Sequence, residues 1–294
     1  MEQLPSSCKQ MTKYLPLYDG FDIPQVGVAS FRYDSQEATR AYIELAFNRG
    51  IRLFEVSELY GNARLVIDTL HACLHSAGLQ RSDVFIIVKA WPKNRKLGEI
   101  TNACKFLLAS SGLSYADVVC VHAPIDIENR SDQWAALEGL KEEQLVRSLG
   151  CADVNALQVT ELVKNCAIMP STVTCELSIF TQKKVLTEYL NDSSIIVISN
   201  EVNSKGMRKN HPVLSAITQE VYGPSSSSSS GESDMEMMNI RFLLTSGYVV
   251  LLDHRCAFDM AHLLEPLSAE VVRRLRSLDE DLCTQWTHED PAED

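Results

Sequence analysis

The sequence lacks any apolar run long enough to form a membrane-spanning helix. Such a helix needs about 18 consecutive apolar residues, and no stretch of the 294 residues approaches that length. Residues 1–20 also lack the basic and apolar regions of a secretory signal peptide. We therefore expect a globular protein of the cytoplasm that does not interact with membranes.

Paired cysteines are absent as well. The nine cysteines occur singly, without a Cys-x-x-Cys motif, so the sequence carries no signature of a zinc site or of a dithiol redox site. In the reducing cytoplasm they are expected to be free thiols, most of them buried. We predict no bound metal.

Basic residues are outnumbered by acidic ones. The chain has 27 Lys and Arg residues against 39 Asp and Glu residues, which gives a formal net charge of −12 at pH 7. This charge opposes nonspecific attraction to nucleic acids and to anionic lipids. Neither is expected as a partner.

From about residue 26 the chain alternates strand-like apolar runs with helical periodicity. The spacing of roughly 30 residues is typical of βαβ units, and the length suits a single barrel. Strands are predicted at residues 26–29, 53–56, 84–89, 118–122, 147–150, 173–177, 195–199 and 248–252. Helices are predicted at residues 36–49, 64–77, 99–110, 132–143, 156–165, 181–190, 235–246 and 267–283. The fold class is therefore predicted to be α/β, a (β/α)8 TIM barrel.

The segments outside this pattern define the domain organisation. Residues 1–22 are predicted to be an N-terminal segment with a hairpin that caps the barrel, residues 23–283 the barrel and residues 284–294 an acidic tail. Six consecutive serines, residues 225–230, follow Gly223-Pro224. Such a polar run buries too little apolar area to offset the entropy of ordering it. We predict a disordered loop at about residues 223–234.

Polar, titratable side chains follow three successive strand-like runs. Glu55 and Tyr60 follow the second run, Lys89 ends the third and His122 ends the fourth. In α/β barrels the chemistry is carried by residues at the carboxyl ends of the strands. These side chains are therefore the candidate catalytic residues.

Their chemistry suits proton donation to a carbonyl. A phenol is a weak acid near neutral pH unless a nearby cation stabilises its phenolate. Lys89 is expected to supply that cation and to lower the pKa of Tyr60, while Glu55 pairs with Lys89 on the adjacent strand. His122 is expected to hydrogen-bond a substrate oxygen.

The motifs around these residues resemble those of the aldo-keto reductases. In that family the second strand reads Asp-Thr-Ala-x-x-Tyr-Gly-Asn, and residues 55–62 read Glu-Val-Ser-Glu-Leu-Tyr-Gly-Asn. Lys89 and His122 match the lysine and histidine of the third and fourth strands, which precede a proline in similar motifs. The resemblance, from about residue 23 to residue 282, implies reduction of an aldehyde or ketone to an alcohol with a hydride from NADPH or NADH.

The resemblance also implies a cofactor site on the later strands. Where the family has Gly-Val-Ser-Asn, residues 150–153 read Gly-Cys-Ala-Asp. Thr174 stands where the family has a glutamine, and Asn200 stands where it has the aromatic residue that stacks on the nicotinamide. Asp153, Thr174 and Asn200 are therefore candidate cofactor-binding residues.

The eighth strand differs most from the family. Where the family has Ile-Pro-Lys-Ser for the adenosine phosphate, residues 251–255 read Leu-Leu-Asp-His-Arg. Asp253 would repel a phosphate, whereas Arg255 is the candidate residue to bind it.

These changes leave a second interpretation open, a noncatalytic barrel that serves as a regulatory or binding subunit for a protein partner. Residues 150–155 and Asn200-Glu201 are similar to short motifs of the modifier subunit of glutamate–cysteine ligase, Gly-x-Ser-Asp-Leu-Asp and Asn-Asp. Those subunits lack the strand-end histidine that His122 supplies here. Binding of a nicotinamide dinucleotide would distinguish the two interpretations.

Overall fold

The structure, a computed structural model, describes residues 13–31, 35–91, 97–122, 130–202, 204–208, 210–223, 228–253, 260–282 and 284. Two short strands near the N-terminus, β1 (Tyr14–Pro16) and β2 (Asp22–Pro24), form an antiparallel hairpin. Eight parallel strands then close into a barrel in the order β10-β3-β4-β5-β6-β7-β8-β9. They are Val26–Ala29 (β3), Leu53–Ser57 (β4), Phe85–Ala90 (β5), Ala116–His122 (β6), Val146–Ala152 (β7), Thr172–Glu176 (β8), Ile196–Asn200 (β9) and Val249–Leu252 (β10). The predicted fold class is confirmed.

Helices separate the strands along the chain. They are Gln36–Asn48 (α1), Ala63–Ala77 (α2), Leu97–Ser111 (α3), Arg130–Glu142 (α4), Ala156–Asn165 (α5), Lys184–Asp192 (α6), Pro212–Tyr222 (α7), Ser228–Thr245 (α8), Met260–Leu263 (α9) and Ala269–Arg276 (α10). Helix α1 shows why they form. The Ser35 side chain accepts a hydrogen bond from the Ala38 N–H at its start, and Ile43 and Phe47 bury one face. Among the described residues, no helix is long and apolar enough to cross a bilayer.

Alternation along the strands produces two cores. Residues that point outward pack against the helices and form the larger core, as Phe54 and Val88 do. Residues that point inward, such as Leu53, Ile87 and Ile198, form a smaller core within the barrel. Burial on both faces is why each strand reads as a continuous apolar run.

The hairpin closes the amino-terminal end of the barrel, as predicted. Leu17 and Ile23 belong to the inner core. In the turn between them, the Asp19 carboxylate pairs with Lys141 at 2.6 Å and accepts hydrogen bonds from Ser148 and Ser171. The carboxyl ends of the strands lie at the opposite end.

The structure differs from the prediction in the Ser-rich segment. Helix α8 begins at Ser228, within the segment predicted to be a disordered loop, while residues 224–227 lie outside the described residues. The buried residues Met238 and Phe242 anchor this helix, so it can extend over serines that would not form a helix alone. Helix α7 was not predicted.

The last predicted helix is shorter than expected. Helix α10 ends at Arg276, and the segment after it bonds to the loop that follows β8. The backbone N–H groups of Glu280 and Leu282 both donate to the Phe180 carbonyl oxygen. Asp281 has a φ of 53°, in the left-handed region, which is incompatible with a continuing helix. The C-terminal segment thus returns to the barrel end where the strands finish.

Candidate active site

Strand alternation directs four polar side chains into the open end of the barrel, called the barrel mouth from here on. Glu55 and Lys89 come two residues after Leu53 and Ile87, which face the inner core. Asn200 comes two residues after Ile198, and Thr174 is in register with Ile198 on the neighbouring strand. Residues two apart on a strand share a face, so all four point into the barrel.

Glu55 and Lys89 form a buried ion pair. Lys89 Nζ lies 3.2 Å from Glu55 Oε1, and each side chain is 1% exposed. A charge in this environment is stable only when it is paired, because removing it from water is costly. The pairing expected from the sequence is present, and the longer glutamate side chain accommodates it.

A short helical turn brings Tyr60 to the same carboxylate. Residues Glu58–Tyr60 form a single 3-10 turn, with the Ser57 side chain accepting a hydrogen bond from the Leu59 N–H, and the turn ends at Gly61 with a φ of 67°. The Tyr60 hydroxyl donates to Glu55 Oε1 at 3.1 Å. Lys89 Nζ lies 5.6 Å from the centroid of the Tyr60 ring. Glu55, Tyr60 and Lys89 therefore form one connected group, called the triad from here on.

Burial and charge set the protonation states of the triad. Burial raises the pKa of Tyr60 and the Glu55 carboxylate raises it further, which together outweigh the lowering effect of Lys89. Lys89 does lower the pKa of Tyr60, as expected, but burial of the phenol, together with the charge of Glu55, outweighs this effect, so the net shift is upward. Burial alone would lower the pKa of Lys89, but Glu55, Tyr60 and Asp153 raise it above its ordinary value. Tyr60 stays a neutral phenol and Lys89 a cation near neutral pH.

Two predicted site residues are only partly described or not described. The backbone of His122 is the last residue of β6 and is in register with Ala152 on β7, which places His122 at the barrel mouth. Its side chain lies outside the described part of the structure, as does the whole of Arg255.

The other predicted residues lie at or near the carboxyl ends of β7, β8 and β9. Asp153 follows β7 with a φ of 56°, is 6% exposed, and its N–H donates to the Thr174 carbonyl oxygen at 2.8 Å. Thr174 Oγ1 and Asn200 Oδ1 are buried and have no hydrogen-bond partner in the described structure, and the same holds for Glu55 Oε2. Buried polar atoms are normally paired, so these three atoms indicate where a polar ligand would bind.

One contact at the barrel mouth was not predicted from the sequence. The buried Glu176 carboxylate, at the end of β8, accepts hydrogen bonds from the Thr284 N–H at 3.0 and 2.9 Å and from its hydroxyl at 2.5 Å. Thr284 lies in the C-terminal segment, 108 residues further along the chain. The strand-end position of Glu176 was visible in the sequence, but a partner so distant was not.

An open cleft gives access to Tyr60. Its walls come from Phe31, the start of α1, and the turn and first helical residues after β4, including Leu59 and Arg64. The Phe31 and Tyr60 rings lie 4.9 Å apart, centroid to centroid. A carbonyl compound in this cleft could approach the phenol hydroxyl, which can donate a proton while Lys89 stabilises the resulting phenolate.

Comparisons with known proteins agree on one family. Residues 25–227 match the family described as the Aldo/keto reductase family. An uncharacterised oxidoreductase of Bacillus subtilis is 25% identical over 203 residues, covering 69% of this chain and 72% of that protein. A 9,11-endoperoxide prostaglandin H2 reductase of Trypanosoma cruzi is 27% identical over 208 residues, with coverages of 69% and 71%.

Solved structures share the fold over nearly the whole chain. The aldose reductase of Schistosoma japonicum is 20% identical, with a TM-score of 0.78. The match covers 96% of this chain and 98% of the aldose reductase chain. An aldo-keto reductase of Bombyx mori, solved in complex with NADP, is 19% identical, with a TM-score of 0.81 and coverages of 96% and 99%.

Proposed function

The chain belongs to the aldo/keto reductase family, and from this we propose that its barrel mouth is the active site of an NAD(P)H-dependent oxidoreductase. The reaction is the reduction of an aldehyde or ketone to an alcohol. The observation that carries the proposal is the triad: a neutral phenol, facing an open cleft, joined to a buried ammonium–carboxylate pair. The substrate class is a small carbonyl compound, in keeping with relatives named as D-xylose reductases.

The residues at the barrel mouth fit a nicotinamide cofactor. Thr174 Oγ1 and Asn200 Oδ1 are buried atoms without hydrogen-bond partners among the described residues, and both are proposed to bond the polar amide of a nicotinamide. Asp153 follows the end of β7, where its N–H donates to the Thr174 carbonyl oxygen, and it is proposed to join this site, while Arg255 is proposed to bind the phosphate end. When bound, NADPH or NADH supplies the hydride that the carbonyl carbon receives.

The triad supplies the proton that the carbonyl oxygen receives. Tyr60 is the general acid, whose hydroxyl proton moves to the carbonyl oxygen as negative charge develops there. Lys89 stabilises the phenolate that remains, and Glu55 holds Lys89 in place through the 3.2 Å ion pair. His122 is proposed to hydrogen-bond the carbonyl oxygen. The catalytic residues proposed are therefore Glu55, Tyr60, Lys89 and His122.

The working unit is proposed to be the barrel, residues 23–283. The hairpin, whose second strand overlaps the start of this unit at Ile23 and Pro24, closes the end opposite the active site, and residues 284–294 form an acidic tail. In this division all proposed site residues belong to one domain.

Dinucleotide binding is the direct test of the proposal. We expect NADPH or NADH to bind the purified protein with a micromolar dissociation constant, measured by isothermal titration calorimetry, and an aldehyde to be reduced with loss of absorbance at the wavelength of the reduced nicotinamide. Absence of binding by either dinucleotide at millimolar concentration would contradict the proposal. It would favour the noncatalytic barrel instead.

A further inference from the structure

The turn that carries Tyr60 is too short to fix the position of the phenol hydroxyl by itself. It is a single 3-10 turn of three residues, Glu58–Tyr60, and such turns have poorer hydrogen-bond geometry than an α-helix. Leu59, the apolar residue in its middle, is 50% exposed, so packing of this side chain does not anchor the turn. Contacts with the neighbouring strands supply the anchors.

One anchor joins the turn to the strand that carries Lys89. The Trp91 N–H donates a hydrogen bond to Glu58 Oε2 at 3.1 Å. Trp91 directly follows β5 and comes two residues after Lys89. A hydrogen bond to a carboxylate is about twice as strong as one between neutral groups. Glu58 therefore ties the backbone near Tyr60 to the backbone near Lys89.

A second anchor joins the end of the turn to β3. Asn62 Nδ2 donates to the Ser30 carbonyl oxygen at 2.7 Å, and the Ser30 hydroxyl donates to Asn62 Oδ1 at 3.3 Å. Ser30 is buried directly after β3, and its own N–H donates to the Glu55 carbonyl oxygen at 3.1 Å. Because β3 and β5 flank β4, the two anchors hold the turn from both sides.

Tyr60 lies between the two anchored residues along the chain. Its hydroxyl must stay within hydrogen-bond reach of the carbonyl oxygen, and a displacement of about 1 Å can slow a reaction by about 100-fold. We propose that Glu58 and Asn62 are positioning residues, which hold the Tyr60 hydroxyl where it can protonate the carbonyl oxygen. The inference rests on the proposed function. Neither residue has to give or take a proton.

Glu58→Ala and Asn62→Ala test the two anchors separately. Each removes one anchor and leaves the residues of the triad in place, so we expect kcat for aldehyde reduction to fall by about 10- to 100-fold. The dissociation constant of NADPH or NADH should stay within about twofold of the wild-type value, because neither residue is among those proposed to bind the dinucleotide. Steady-state kinetics and isothermal titration calorimetry measure the two quantities.

A conservative variant separates positioning from a general loss of structure. Glu58→Gln keeps an amide oxygen that can accept from the Trp91 N–H, so it should recover most of the kcat lost in Glu58→Ala. Glu138→Ala is the matched control, because Glu138 Oε1 likewise accepts from backbone N–H groups, those of Ala167 and Ile168, both at 2.8 Å. That contact lies ahead of β8, at the amino-terminal end of the barrel. The control should keep the wild-type kcat.

Asn165→Ala is the control for Asn62→Ala, since Asn165 Nδ2 donates to the Glu161 carbonyl oxygen at 2.8 Å at the end of α5. Circular dichroism identifies a variant that does not fold, and the other anchor then decides the outcome. A kcat of either anchor variant equal to that of its control, or a Glu58→Gln variant as slow as Glu58→Ala, would overturn the inference and leave the proposed function intact. Failure of the wild-type protein to reduce aldehydes would overturn both.

Discussion

Replacement of Tyr60 by phenylalanine is expected to lower kcat for carbonyl reduction by about 10²- to 10⁴-fold. The variant keeps the ring that packs against Phe31 but removes the hydroxyl, which is the proposed proton donor. The loss corresponds to about 3–5 kcal/mol of transition-state stabilisation. Steady-state kinetics with an aldehyde, together with calorimetric binding of the dinucleotide, would measure it.

Cofactor affinity should change little in this variant, because an interaction made with the transition state affects kcat and not ground-state binding. Tyr14→Phe is the matched control, since Tyr14 lies in the hairpin at the other end of the barrel and is 48% exposed. It should behave as the wild type. Turnover retained in Tyr60→Phe would refute the role assigned to Tyr60.

Replacement of Lys89 by methionine is expected to destabilise the protein by about 3–5 kcal/mol, as breaking one partner of a buried ion pair does. Methionine fills much of the lysine volume but leaves the Glu55 carboxylate, 1% exposed, without its cation. Denaturant unfolding, followed by circular dichroism, would give the change in the free energy of unfolding. Carbonyl reduction should be lost as well, because no cation remains to stabilise the Tyr60 phenolate.

A double substitution separates the effect on stability from the effect on activity. Glu55→Leu combined with Lys89→Met removes both charges and should restore most of the stability, while activity stays low. Lys105→Met is the control, because Lys105 forms an exposed ion pair with Glu143 at 2.6 Å, and such pairs contribute about 0–1 kcal/mol. If Lys89→Met were no less stable than Lys105→Met, the cation of the buried ion pair would not be needed for the stability of the fold.

Much of the barrel could be predicted from the sequence because its strands are buried on both faces. This burial gives continuous apolar runs that differ from the helical segments, and the predicted strand positions agree with β3 to β10 to within two residues at each end. Helix α7 escaped prediction because its N-cap is a histidine and not Ser, Thr, Asp or Asn, although proline is common at the first position of a helix. Pro212 is its first residue and His211 is its N-cap, accepting from the Leu214 N–H through Nδ1.

The sequence predicted which residues form the candidate site better than it predicted their contacts and pKa shifts. Strand ends and family motifs identified Glu55, Tyr60 and Lys89, and the structure brings the three together. The net direction of the Tyr60 pKa shift could not be predicted, since it depends mainly on how deeply the phenol is buried and then on the nearby Glu55 charge. The contact between Glu176 and Thr284 depends on the path of the C-terminal segment, which no local pattern specifies.

A single-turnover experiment with deuterated cofactor tests most directly whether the barrel mouth reduces carbonyl compounds through Tyr60. The wild-type protein, in excess over NADPH or NADH that carries deuterium at the transferable position, is mixed with an aldehyde, and the product is analysed by mass spectrometry. A barrel mouth that reduces carbonyls through Tyr60 should give an alcohol with one deuterium on its carbon, and Tyr60→Phe should give little or none in the same time. Bound cofactor with no labelled alcohol from the wild-type protein would contradict the account.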